Sequence, residues 1–123
     1  MGLKRDKFDI IVSNITRKRE RNCCEACNKT FERTECAHIF GRRHRSVRWD
    51  LDNVLCLCHG CHRKYTENPV DFTRFLERYI GVDELNSLRI KAWQVKKWTK
   101  AEKVALYDEL KATYAAMESM ESG

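Results

Sequence analysis

The chain has 123 residues, 42% of them apolar, with 24 Lys/Arg against 18 Asp/Glu and a formal charge of +6. That length suits one domain, here taken as 1–123, with a modest core. No apolar run approaches the roughly 18 residues of a membrane span, and the opening MGLKRDKFDIIVSN lacks the long apolar core of a secretory signal, so a soluble, cytoplasmic protein without a membrane partner is expected.

Taken in chain order, residues 6–20 (DKFDIIVSNITRKRE) set Phe8, Ile11, Val12 and Ile15 at helical spacing and end in a basic cluster, which predicts a first helix. Residues 22–66 carry no helical period apart from a short run after the second cysteine pair; Thr30 to Ile39 and Asn53 to Cys58 read as short strands. From Asn68 the pattern changes. Asn68 is placed to cap a helix, Pro69 occupies its first position, and Phe72, Phe75, Leu76, Tyr79 and Ile80 share one face up to a stop at Gly81. A further helix is expected from about Asp83 to Trp93. Thr99-Lys-Ala-Glu102 is a capping box opening a last helix that aligns Tyr107, Leu110, Tyr114 and Met117. The tail ESMESG is expected to fray. The apolar stripes of these later helices suit core packing or a homodimer face.

Charge is unevenly placed. Residues 1–70 hold 15 Lys/Arg against 9 Asp/Glu, whereas residues 71–123 hold 9 of each, so a polyanionic partner should meet the first part of the chain.

Seven cysteines without a signal segment argue for thiolates and metal rather than disulfides. Cys24-Glu-Ala-Cys27 and Cys58-His-Gly-Cys61 are two knuckles, and each can give two thiolates to one tetrahedral Zn²⁺. Four thiolates leave no open position on the ion, so this zinc is structural. Cys23 is an alternative ligand; Cys36 and Cys56 read as small buried hydrophobes.

Between and just after the knuckles stand His38, Asn53 and His62. With CEAC, AHI, DN and LCHGCH, the chain resembles the HNH endonucleases of the ββα-metal (His-Me finger) superfamily, and most of all small phage-encoded HNH proteins, across about residues 6–80. The spacings of 15 from His38 to Asn53 and 9 from Asn53 to His62 fit that pattern. The resemblance implies an α+β fold: a small ββα-metal HNH core over 6–70 pinned by the four-cysteine structural zinc, an N-terminal helix, and a C-terminal helical extension over 71–123. It further implies that His38 is the general base, that Asn53 holds the hairpin loop and orients His38, and that His62 binds a catalytic divalent metal, Mg²⁺ or Mn²⁺. A phage-encoded protein of this kind would act in the host cytoplasm. Two positions depart from the pattern. Ala37 stands where many members place a second ligand, and Thr66 where some carry another histidine. His44, Glu35 and Glu67 are the candidates to complete the shell; for His44 a phosphate contact is an equal alternative. His59, inside the knuckle, reads as exposed or as supporting a ligand.

Arg42, Arg43, Arg45 and Arg48 lie in the loop between His38 and Asn53, where they would neutralise DNA phosphates; Arg17, Lys18, Arg19 and Arg21 extend that surface, and Trp49 offers a base contact or a core residue. The expected function is a metal-dependent DNA endonuclease, that is, a phosphodiester hydrolase. Its rivals are a zinc-stabilised DNA-binding accessory module without catalysis and a zinc scaffold that presents helices.

Overall fold

A computed structural model describes residues 4–122. Five α-helices, a short 3-10 turn (Leu51–Asn53) and one two-stranded antiparallel sheet make up its regular structure among those residues, an α+β arrangement. Helix α1 (Lys7–Arg19) opens on a capping box that pattern reading passed over, because aspartate rather than glutamate fills its third position. Asp6 Oδ1 accepts from Asp9 N–H at 3.0 Å, and Asp9 Oδ2 accepts from Asp6 N–H at 2.9 Å. Arg17, Lys18 and Arg19 in the last turn face the negative end of the helix dipole. The chain then reverses through Arg21 and Asn22, both left-handed at φ 54° and 57°, and enters the first cysteine knuckle.

Strands β1 (Glu35–His38) and β2 (Val54–Leu57) pair in the register Glu35 with Leu57, Cys36 with Cys56, Ala37 with Leu55 and His38 with Val54. The first strand is shorter than expected; Thr30 makes only an isolated bridge to Cys23 inside the knuckle. Side chains alternate across a sheet, and both faces are covered. Ala37, Leu55 and Leu57 pack with Phe75, Leu76 and Leu85 on the cysteine side. Val54 packs with Phe8, Val12, Ile15, Trp49 and Leu110 on the other.

Helix α2 (His59–Glu67) follows β2 directly, with Cys58 as its cap. Helix α3 (Pro69–Tyr79) begins at the proline, but Asn68 does not cap it through its side chain; that amide donates back to Lys64 O at 2.8 Å and closes α2 instead. Gly81, at φ 93°, makes the reversal into α4 (Val82–Ala92), where an L side chain would be strained. The Thr99–Glu102 box forms as expected, with Glu102 N–H to Thr99 Oγ1 at 3.1 Å and Thr99 N–H to Glu102 Oε1 at 3.0 Å.

Helix α5 (Lys100–Ser122) is longer than expected and corrects the fraying tail: helix continues through Ser122, and Glu121 pairs with Lys18 at 2.7 Å. Its stripe of Tyr107, Leu110, Tyr114 and Met117 lies in the cluster built on α1. That stripe of α5 is therefore covered from within the chain. None of the described helices is long and apolar enough to cross a membrane.

Candidate metal centre and active site

The two knuckles meet. One sulfur from each of Cys24, Cys27, Cys58 and Cys61 lies within 4.8 Å of the other three, a group that can hold a metal ion such as zinc. A tetrahedron with Zn–S of about 2.3 Å needs sulfurs roughly 3.8 Å apart, which this cluster accommodates. Backbone geometry prepares it: Cys27 N–H points at Cys24 Sγ at 3.5 Å and Cys61 N–H at Cys58 Sγ at 3.4 Å. Asn28, left-handed at φ 62°, turns the first knuckle. Burial works against a Cys24 thiolate, but the N–H groups of Cys27, Cys58 and Ala26 outweigh it and bring its pKa down to about 7. Burial and the adjoining sulfurs of Cys58 and Cys24 push Cys61 far up. Four thiolates this close need a cation to ionise together. Glu25 seats the first knuckle on the sheet, donating its N–H to Cys56 O at 2.8 Å and accepting from Cys56 N–H at 2.7 Å.

The leftover cysteines stand outside this group. Cys23 takes part in the Thr30 bridge. Cys56 is buried on β2, and Cys36 packs against Thr16 with its thiol pushed up by burial.

A cleft of about 760 Å³ is lined by His38 and Glu35 from β1, His59 and His62 from α2, and Asp9, Ser13 and Arg17 from α1, with Arg5, Arg33 and Arg42 around it. His38 and His62 thus face one cavity. His38 Nε2 lies 3.2 Å from Arg48 O. A carbonyl only accepts, so Nε2 carries the proton and the neutral ring keeps its lone pair on Nδ1. Burial holds His38 below the ordinary histidine value, a shift the Arg48 carbonyl offsets only in part.

His62 is set the opposite way round. Its Nδ1 donates to Glu35 Oε1 at 2.7 Å, which leaves Nε2 free, while Glu35 Oε2 accepts from His59 Nδ1 at 2.9 Å. Burial tends to raise Glu35, but the two histidines outweigh it and hold the carboxylate below its usual range. Glu35 therefore fixes the ring of a candidate ligand, the supporting role that carboxylates play behind metal-bound histidines.

Asn53 is fully buried. Its Nδ2 donates to Phe40 O at 2.9 Å and to Val47 O at 3.1 Å, and its Oδ1 accepts from Phe40 N–H at 2.9 Å. Its side chain closes the loop and makes no hydrogen bond to His38. The link is indirect, since holding Val47 fixes the next residue, Arg48, whose carbonyl orients the imidazole.

The arginine loop does not form one surface. Arg48 departs from the expected phosphate contact: its Nε and Nη2 grip Asp9 at 3.1 and 2.6 Å, and Nη2 also donates to Lys4 O. Asp9, 5% exposed, further accepts from Trp49 Nε1 at 3.2 Å. Burial would raise Asp9, yet Arg48 holds it below the usual carboxylate range. Trp49 stacks on Phe8 and is core, not a base contact. Arg43 and Arg45 are exposed outside the cleft. Arg42 lines it, with a buried Nη1 that lacks a hydrogen-bond acceptor and lies 3.6 Å from Asp9 Oδ2. Arg17 is held by the neutral Ser13 and Asn14 side chains and has no carboxylate partner among the described residues. Arg5 and Arg33 have no carboxylate partner among the described residues. Nothing local in the sequence separated these two from other surface arginines.

The remaining candidate ligands lie elsewhere. His44 packs edge-on against Trp93 at 4.7 Å, away from both cavities at His62, and Glu67 pairs with Arg63 at 3.1 Å. Ala37, His62 and Thr66 do converge, around a small cavity of about 180 Å³ otherwise lined by His38, Ile39, Leu57, Tyr65 and Phe72. That mostly apolar wall adds no carboxylate for a divalent cation. Among the described residues the four cysteines are the one group of three or more ligand side chains close enough to hold an ion; in the cleft His62 offers Nε2, with Glu35 on the other side of its ring. No protein-family model, curated protein or solved structure matches this chain.

Proposed function

We propose that the chain is a metal-dependent endonuclease of the HNH type that hydrolyses phosphodiester bonds in DNA. The observation that carries this reading is the cleft itself. Two histidines face one cavity, each with one ring nitrogen committed to a fixed acceptor and the other free, inside a wall of four arginines.

In this mechanism His38 Nδ1 takes a proton from water as that water attacks phosphorus in line, and the 3′ oxygen leaves. The Arg48 carbonyl keeps the required tautomer, and Asn53 keeps the loop bearing that carbonyl in place. The depressed pKa of His38 leaves the base free at neutral pH. A divalent cation, Mg²⁺ or Mn²⁺, held on His62 would stabilise charge on the phosphorane and the leaving oxygen. Arg42 and Arg17 neutralise the phosphates beside the reacting one, and Arg5 and Arg33 extend that track. The four-cysteine group, loaded with zinc, holds α2 and therefore His62 in register with β1.

One observation favours a second reading. The wall around Ala37 and Thr66 is apolar where ligands would strengthen cation binding, which suits a zinc-stabilised DNA-binding module that does not cut. Supercoiled plasmid incubated with zinc-replete protein and Mg²⁺ or Mn²⁺ separates the two. The endonuclease converts it to nicked or linear forms, and His62→Ala slows that conversion. Plasmid that is retarded on a gel yet intact with every divalent metal makes the chain a binding module. Plasmid that is not bound even at low salt leaves the zinc unit as a scaffold.

A further inference from the structure

One aromatic surface is unused by the cleft or the core. Trp93, at the C-terminal end of α4, is 68% exposed, with Ile90 and Val95 also exposed beside it in the chain. The other two tryptophans are engaged, Trp49 in the core and Trp98 donating to Arg45 O at 3.0 Å. Trp93 is not adrift. Its ring stands edge-on to His44, with planes 87° apart, and Ser46 Oγ donates to Lys91 O at 2.6 Å, tying the arginine loop to the end of α4. His44 N–H in turn bonds Gly41 O at 3.0 Å, and Gly41 lines the cleft. One turn of chain therefore joins Trp93 to the site of proposed cleavage, with Arg43 exposed on the way.

We propose that Trp93 is a stacking platform for an unpaired nucleobase, so that the preferred substrate is DNA with a single-stranded segment next to the cleavage site. This rests on the DNA-cleaving reading above. In an intact duplex the base faces are hidden by stacking, and a flat indole gains nothing from them; an unpaired base offers its whole face. Residues 89–97 carry Arg89, Lys91, Lys96 and Lys97 and no acidic residue; Lys91 and Lys96 pair with Asp50 and Glu102, while Arg89 and Lys97 have no carboxylate partner among the described residues, which suits a polyanion carrying bases.

The test uses full-length, zinc-replete protein with a duplex bearing a single-stranded tail and the matched blunt duplex. Wild type should bind the tailed form more tightly, and its tryptophan fluorescence should be quenched on binding it. Trp93→Ala should reduce that preference about tenfold, the effect of losing one base stack, and abolish most of the quench. Trp93→Phe should retain most of the preference, and zinc content should be unchanged in both. Equal loss on both DNAs, or no loss, overturns the platform while leaving the nuclease reading intact. So does a wild-type dimer in sedimentation that Trp93→Ala converts to monomer, which would assign the patch to a second copy. Absence of binding to either DNA would sink both readings together.

Discussion

Replacing Asn53 tests how the loop that orients the proposed base is held. In Asn53→Ala the three hydrogen bonds of a fully buried side chain vanish. Val47 O loses least, because it also accepts from Asp50 N–H at 3.1 Å. Phe40 N–H and Phe40 O lose the partner that Asn53 supplied. Each stranded group costs about 1–3 kcal/mol, so the variant should lose about 2–6 kcal/mol, a large part of the stability of a small domain. Asn53→Asp should do worse at high pH. It removes the Nδ2 donors and sets a carboxylate against two carbonyl oxygens, which raises the folded-state pKa of the introduced acid. A raised carboxyl pKa favours the fold below that pKa and disfavours it above, so this variant should be less stable at pH 8 than at pH 5. Urea unfolding at fixed free zinc, followed by circular dichroism at both pH values, measures the two effects. An Asn53→Ala loss below about 1 kcal/mol, or an Asn53→Asp variant equally stable at both pH values, would refute the account of the loop.

Three further expectations concern the supports of the two sites. Arg48→Ala leaves the buried Asp9 carboxylate without its main partner and should cost about 3 kcal/mol at pH 7. The Asp9 pKa is depressed in the fold, so its contribution is present above the ordinary aspartate value and lost as pH falls through the folded one; the gap between variant and wild type in urea should narrow towards pH 3, and a gap that widens there contradicts the pairing. Glu35→Gln should weaken activation by Mg²⁺ or Mn²⁺ about 10–100-fold with zinc content unchanged, and an unaltered metal titration would remove Glu35 from the support of His62. Native mass spectrometry should find one zinc per chain; its chelation should collapse the near-UV dichroism and open residues 23–61 to protease, whereas an unchanged spectrum would show that the thiols need no metal.

Local chemistry made most elements readable in the sequence. Pro69 and Gly81 bracket α3, the Thr99–Glu102 box opens α5, and the two knuckles converge as their spacing implies. What escaped depends on partners distant in the chain. The tail's helix runs on through Ser122, and its Glu121 pairs with Lys18, more than a hundred residues earlier. Arg48 looked like its neighbours in the arginine run but turns inward to Asp9, 39 residues away. Arg5 and Arg33 join the cleft only because the segments leading into α1 and β1 come to line one cavity. Glu35 was readable as a candidate ligand; its position behind His62 and His59 became visible only once β1 and α2 were side by side.

The central claim is that His38 is a general base acting on DNA, and its most direct test is the single-turnover rate of plasmid nicking by wild type and His38→Ala between pH 5 and 8. Both proteins should be matched for zinc content and supplied with Mg²⁺ or Mn²⁺. Because burial lowers the His38 pKa, the wild-type rate should rise along a limb centred below the ordinary histidine value and level off by about pH 7. His38→Ala should fold, keep its zinc and cut at least about a hundredfold more slowly throughout. A His38→Ala protein that nicks as fast as wild type, or a wild type that binds plasmid and leaves it intact in every metal, would contradict the account.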